Sequence, residues 1–191
     1  VAWRAGVLTF AIAACLGSVA GAIAARQESA LPKPSAVVKP SAYVSLEPVP
    51  RGSDFEVAVV IEIARGFHVN SHTPRDPYLI PTTIKAQPTA GLEISGTKYP
   101  KGRDEKFAFS PDKPLDVYTG SVTILLHVAS RASAHLGANR LPLTLRYQAC
   151  NDSACLAPVN VPVNVKFDLA PAGTKGRAVH SEIFASASAS H

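Results

Sequence analysis

Two alternating runs joined by a pair of cysteines constrain this chain more than any other feature. Leu141, Leu143 and Leu145 alternate with Pro142, Thr144 and Arg146, and Val159, Val161, Val163 and Val165 alternate with Asn160, Pro162 and Asn164. A period of two marks a half-buried strand. Between the runs lies Cys150-Asn151-Asp152-Ser153-Ala154-Cys155, a polar four-residue loop with a cysteine at each end. Four-residue loops are common hairpin connections. The two cysteines are therefore expected to face one another across an antiparallel pair. Cross-strand neighbours lie about 4.5–5.5 Å apart at Cα, a separation that a disulfide accepts.

The remaining sequence agrees with an all-β domain. Sixteen prolines and twelve glycines are spread among short apolar runs, which favours strands and turns over long helices. Residues 54–63 read DFEVAVVIEI, with Phe55, Val57, Val59, Ile61 and Ile63 on one face and Glu56 and Glu62 on the other. A short strand is expected near residues 43–46, others at 78–86 and 92–98, and another from 115 to 128 with a bend at Gly120. Residues 99–114 (YPKGRDEKFAFSPDKP) read as the longest irregular stretch inside the domain, and long internal loops tend to carry function. Seven to nine short strands of this kind predict a β-sandwich.

The flanks read differently. Residues 1–25 place Arg4 ahead of about twenty uncharged, mostly apolar residues ending in Ala22-Ile23-Ala24, the layout of an export signal. The run is also long enough to remain as an N-terminal membrane anchor. Ile12-Ala13-Ala14-Cys15 has in addition the look of a bacterial lipobox that would lipidate Cys15. All three readings put the domain outside the cytoplasm, in the periplasm or otherwise exported, where a disulfide is chemically permitted. Contact with a membrane is expected only through an uncleaved or lipidated leader. Residues 26–40 are expected to be a proline-rich linker, residues 41–170 the domain, and residues 171–191, rich in Ala, Ser and Gly, a disordered tail.

The formal charge of +5 does not mark a nucleic-acid binder. Residues 41–170 hold 13 Lys and Arg against 12 Asp and Glu, a net +1, with no basic stripe interleaved with aromatics. No Ser/His/Asp arrangement, paired-carboxylate site or phosphate-binding loop is present, and no cofactor is expected. A metal site is also not expected: the Cys-x4-Cys spacing is poor for zinc, and His68 and His72, four apart outside a helix, are not set on one face. Thiolates with a histidine leave copper(I) as a minor alternative. His127 reads as an ordinary strand histidine, and His135, His180 and His191 carry no signal.

Two readings of the cysteine pair stay open on physical grounds. As a staple it is weak, because closing a loop of about six residues removes only about 2 kcal/mol of chain entropy. A domain of this size can also build its core without one. Disulfides at an accessible loop mouth are the labile, exchange-active kind. The alternative is a non-enzymatic exported binding module whose disulfide fixes the hairpin.

The segments Tyr147-Gln148-Ala149-Cys150 and Cys155-Leu156-Ala157-Pro158, with Tyr99-Pro100-Lys101-Gly102 and Val117-Tyr118, resemble the N-terminal periplasmic domain of the transmembrane thiol:disulfide interchange protein DsbD. The resemblance implies an immunoglobulin-like β-sandwich whose Cys150/Cys155 pair cycles between dithiol and disulfide, with Cys155 forming the mixed disulfide. It implies a cap loop in which Asp104, Glu105 and Phe107 shield the pair, with Phe109 as the competing aromatic. It also implies thioredoxin-fold partners. The membrane-spanning and thioredoxin-like parts of that family are not in this sequence, so electrons are expected from a separate membrane donor.

Overall fold

A computed structural model describes Val1 and residues 31–189 of the chain. The export signal, its alternatives and Cys15 lie outside the described residues.

From Pro34 the chain forms a single helical turn, α1 (Pro34–Val37), and runs directly into β1 (Val38–Val44). The expected linker is thus folded from Pro34 onward. Its two consecutive valines, Val37 and Val38, are buried, and β1 pairs along β4 (Asp54–Ile63) from Val38↔Ile63 to Val44↔Val57. Between them sit two short strands, β2 (Leu46–Glu47) and β3 (Val49–Pro50). After β4 come β5 (His68–Asn70), β6 (Thr83–Ala86), β7 (Leu92–Lys98), β8 (Arg103–Phe107), β9 (Ser110–Tyr118) and β10 (Ser121–Ser130). The domain closes with β11 (Gly137–Tyr147), β12 (Ala149–Cys150), β13 (Val159–Ala170), β14 (Arg177–Ala178) and α2 (Ser181–Ala189).

Two four-stranded sheets, in orders β1-β4-β10-β7 and β3-β13-β11-β6, face one another. The predicted alternation is what packs them. Phe55, Val57, Val59 and Ile61 of β4 and Ile124, Leu126 and Val128 of β10 form one core with Leu141, Leu143 and Leu145 of β11 and Val163, Val165 and Phe167 of β13. Phe55 and Phe167 meet across the sandwich with ring centroids 5.1 Å apart.

Three further sequence expectations change. The strand expected over residues 78–86 forms only as β6, because residues 71–82 are an irregular loop held by Asn70 and Thr82 hydrogen bonds. Residues 99–114 are not one irregular loop: β8 and β9 make a hairpin within them. The two runs around the cysteines pair as one long hairpin, β11 with β13, from Gly137↔Leu169 to Tyr147↔Val159. Its connection is residues 148–158, from which β12 leaves to pair with β5 of another sheet. The four-residue cysteine loop is therefore a smaller turn within that connection.

The tail beyond residue 170 is ordered in the described part. β14 pairs with β2, and α2 lays Phe184 and Ala187 on Ala58 and Leu125. Ala58 and Leu125 are directly paired on the outer face of the β4–β10 sheet. They leave an apolar strip there that the helix buries.

Candidate functional site

The third sheet, β12-β5-β9-β8, carries the site. It is short on the cysteine side: β12 pairs with β5 only through Ala149↔Val69 and Cys150↔His68. β5 in turn pairs with β9 at Val69↔Tyr118 and Asn70↔Val117, and β9 continues into the hairpin with β8. One small sheet thus connects the cysteines to the segment expected to cap them. Tyr118 ties its root, its buried hydroxyl donating to Pro100 O at 2.8 Å and accepting from His72 N at 3.2 Å. Gly102 is required where β8 begins, since a Cβ there would collide with Asp116 Oδ1 and Ser71 Cβ.

Cys150 and Cys155 form a disulfide, their Cα atoms 4.0 Å apart in an isolated antiparallel bridge. The expectation that they face one another is met. The turn between them is organised by Asn151, whose Oδ1 accepts from Ser153 N and Ala154 N at 2.9 and 2.8 Å. Leu156 returns the chain to the core, donating its N–H to Ala149 O, while Gln148 Nε2 donates to Leu156 O. The two sulfurs are not equivalent in setting. Cys150 is 3% exposed, whereas Cys155 is exposed.

The four expected cap residues separate in the same way. Phe107 is buried and stacks on the ring of His68 with centroids 4.1 Å apart. Phe109, in the hairpin turn, is 55% exposed and stacks on Phe107 with centroids 5.4 Å apart. Glu105 lines a cleft of about 400 Å³ together with Arg65, His68, Phe107 and Asp152. Asp104 points the other way, into an ion pair with Arg75 of the 71–82 loop at 2.5 Å. Both partners are more than half exposed, so this pair contributes at most about 1 kcal/mol.

Sequence reasoning weighed His68 only as a metal ligand. It is 3% exposed, its Nε2 has no hydrogen-bond partner, and burial holds its pKa below the ordinary 6.5 while the Asp152 charge pulls it back up. The imidazole is therefore neutral at pH 7. His72 has a different role: it stacks on Tyr99 and its Nδ1 lies 3.0 Å from Thr82 O. His127 faces Glu56 at 3.3 Å near the surface of β10.

Phe107 stacks on His68, whose Cα partner in the β12–β5 pair is Cys150. Burial of a phenylalanine is worth about 1.5–3 kcal/mol, which sets the open population of such a lid at about one part in 10 to 100. In the reduced protein, Phe107→Ala should accelerate alkylation of Cys150 by iodoacetamide at least about tenfold and leave that of Cys155 nearly unchanged. Residue-resolved mass spectrometry reads this. Equal rates in the two proteins would show that Phe107 is not a lid.

A β-sandwich with a disulfide beside a short third sheet that also carries a β-hairpin defines the class: an immunoglobulin-like domain with a cysteine pair. Over residues 34–166 the chain matches the family described as thiol:disulfide interchange protein DsbD, N-terminal, and it belongs to that family. The family acts in thiol–disulfide exchange, and DsbD N-terminal domains are periplasmic. The fold is similar to the N-terminal periplasmic domain of ScsB from Proteus mirabilis, at 13% identity and TM-score 0.54, covering 84% of this chain and 57% of that one. The reduced DsbD N-terminal domain of Neisseria meningitidis is similar at 19% identity and TM-score 0.46, over 78% of this chain and 94% of that one. A complex of the DsbD and PilB N-terminal domains from Neisseria meningitidis is similar at 18% identity and TM-score 0.41, over 71% and 87%. No curated protein matches the chain. Among the described residues, no helix is long and apolar enough to cross a membrane.

Proposed function

We propose that this chain is an exported dithiol/disulfide carrier that passes reducing equivalents between thioredoxin-fold proteins through Cys150 and Cys155. Its electrons come from a membrane donor. The observation that carries this reading is the asymmetry of the pair, Cys155 exposed and Cys150 buried on β12 opposite His68.

Thiol–disulfide exchange proceeds by attack of a thiolate on one sulfur, formation of a mixed disulfide, and its resolution by the second cysteine. Cys155 is the sulfur within reach of a partner, so it is the one that enters the mixed disulfide. Cys150, held on β12 beside it, is then the resolving cysteine. The hairpin from Asp104 to Phe109 limits access to Cys150, with Phe107 as the lid and Phe109 presenting an exposed ring beside it. The small stabilisation available from a six-residue loop, about 2 kcal/mol, supports exchange over stapling. Capture of a thioredoxin-fold partner by single-cysteine variants tests the proposal. Failure of both Cys150→Ala and Cys155→Ala to trap one overturns it.

A further inference from the structure

Cys150 lies in a row of three residues. On one side it is bridged to Cys155, and on the other its Cα partner in the β12–β5 pair is His68. Directly opposed residues in antiparallel pairs put their side chains on the same face with Cβ atoms about 4.5–5.5 Å apart. The imidazole therefore shares a face with the buried sulfur, and Phe107 closes over its ring.

The unpartnered Nε2 of His68 points to a second state. Buried polar atoms in folded proteins are nearly always paired, and one that is not calls for a reason. In the disulfide neither sulfur carries a proton, so Cys150 has no hydrogen to donate. Reduction gives Cys150 an S–H, and the row then contains the donor that Nε2 lacks.

We propose that His68 is the proton acceptor for Cys150 in the resolving step, an inference that rests on the exchange reading above. When the reduced domain meets a partner disulfide, the Cys155 thiolate attacks it. The Cys155–partner bond forms, and the partner's own disulfide breaks with one sulfur leaving as thiolate. Cys150 then gives its proton to His68 Nε2 and attacks Cys155 Sγ. The Cys150–Cys155 bond forms, the Cys155–partner bond breaks, and the electron pair leaves on the partner's second sulfur. Protons from the imidazolium and from water complete the partner dithiol. The domain is oxidised by two electrons and the partner reduced by two. In the reverse direction Cys150 is the leaving group, and the imidazolium protonates it.

Other charged groups around the cleft are Arg65 from the turn before β5, Glu105 from β8 and Asp152 from the cysteine loop. Imidazole, at about 6.5, is closer in basicity to a thiol at about 8.5 than a carboxylate at about 4. A neutral imidazole therefore suits this proton transfer near pH 7 better than either carboxylate.

The experiment follows the reduced full chain reacting with 5,5′-dithiobis(2-nitrobenzoate), which releases one coloured thiolate when Cys155 is modified and a second when Cys150 resolves the adduct. In the native protein the second phase should be flat near neutrality and fall at pH values below about 6.5. In His68→Gln it should be slowed about 30-fold at pH 7, the factor set by the roughly 3% thiolate of an ordinary thiol. It should then rise about tenfold per pH unit and reach the native rate near pH 9. In His68→Ala, added free imidazole should restore the second phase. A second phase in both variants with the native pH profile and no response to imidazole overturns the role of His68 and leaves the carrier reading intact. Failure of the native protein to release a second thiolate overturns the exchange reading itself.

Discussion

Cys150→Ala should convert this protein into a trap that accumulates mixed disulfides with a thioredoxin-fold protein, and Cys155→Ala should not. The expected difference is large because the two sulfurs occupy different settings. Cys155 is exposed and Cys150 is 3% exposed on β12, next to a histidine under Phe107. A mixed disulfide on Cys155 persists in Cys150→Ala because the residue that would resolve it is gone. In Cys155→Ala the remaining thiol is buried, and if the hairpin is its lid, attack waits on an open population of about one part in 10 to 100. Captured partner on a non-reducing gel should therefore differ between the variants by about tenfold or more. Equal capture by both would contradict the assignment of Cys155 as the exchanging sulfur.

The second large effect is on stability. Leu145→Ala should lower the unfolding free energy by about 2–5 kcal/mol, the range for truncating a fully buried leucine. Leu145 is wholly buried in β11, with Val161 of β13 on one side and Ile84 of β6 on the other. The loss is a substantial part of the about 5–15 kcal/mol that holds a domain of this kind together. Because the hairpin of β11 and β13 also carries the cysteine connection, the variant should lose partner capture at temperatures well below those tolerated by the native chain. Urea unfolding measures it as a lower midpoint at unchanged slope. A loss under about 1 kcal/mol would mean that the β11 face is not the core it is described as.

Where alternation met a buried face, the sequence was enough. Asp54–Ile63 and Leu92–Lys98 are strands with the bounds expected from their residues, and the leucine and valine runs pair in register through the whole of β11 and β13. The β8–β9 hairpin was not legible. It carries exposed charges at Arg103, Asp104, Lys106, Asp112 and Lys113, and Pro111 and Pro114 argue against a strand. β9 tolerates them because β5 pairs with it only at Val117 and Tyr118, beyond both prolines. The folded tail was missed for a related reason. The α2 sequence SEIFASASA has few large apolar residues, and the strip it covers, Ala58 and Leu125, becomes apparent only once β4 and β10 are side by side.

The candidate site was half legible. The cysteines and four expected cap positions were named before the structure, but nothing local separates Phe107, buried against His68, from Phe109, exposed in the turn. His68 was weighed only as a metal ligand because its place beside Cys150 lies in a register of only two residue pairs. That register joins segments about eighty residues apart and sets it opposite Cys150.

The central claim is that the Cys150–Cys155 bond exists to be exchanged and not to hold the hairpin. Its reduction potential, measured by equilibrating the domain against a dithiol/disulfide buffer and counting free thiols by mass, addresses that claim most directly. Exchange predicts a potential above about −300 mV, in the range of exchange-active pairs near −270 to −180 mV. A value well below about −300 mV would identify a stable structural bond and contradict the account.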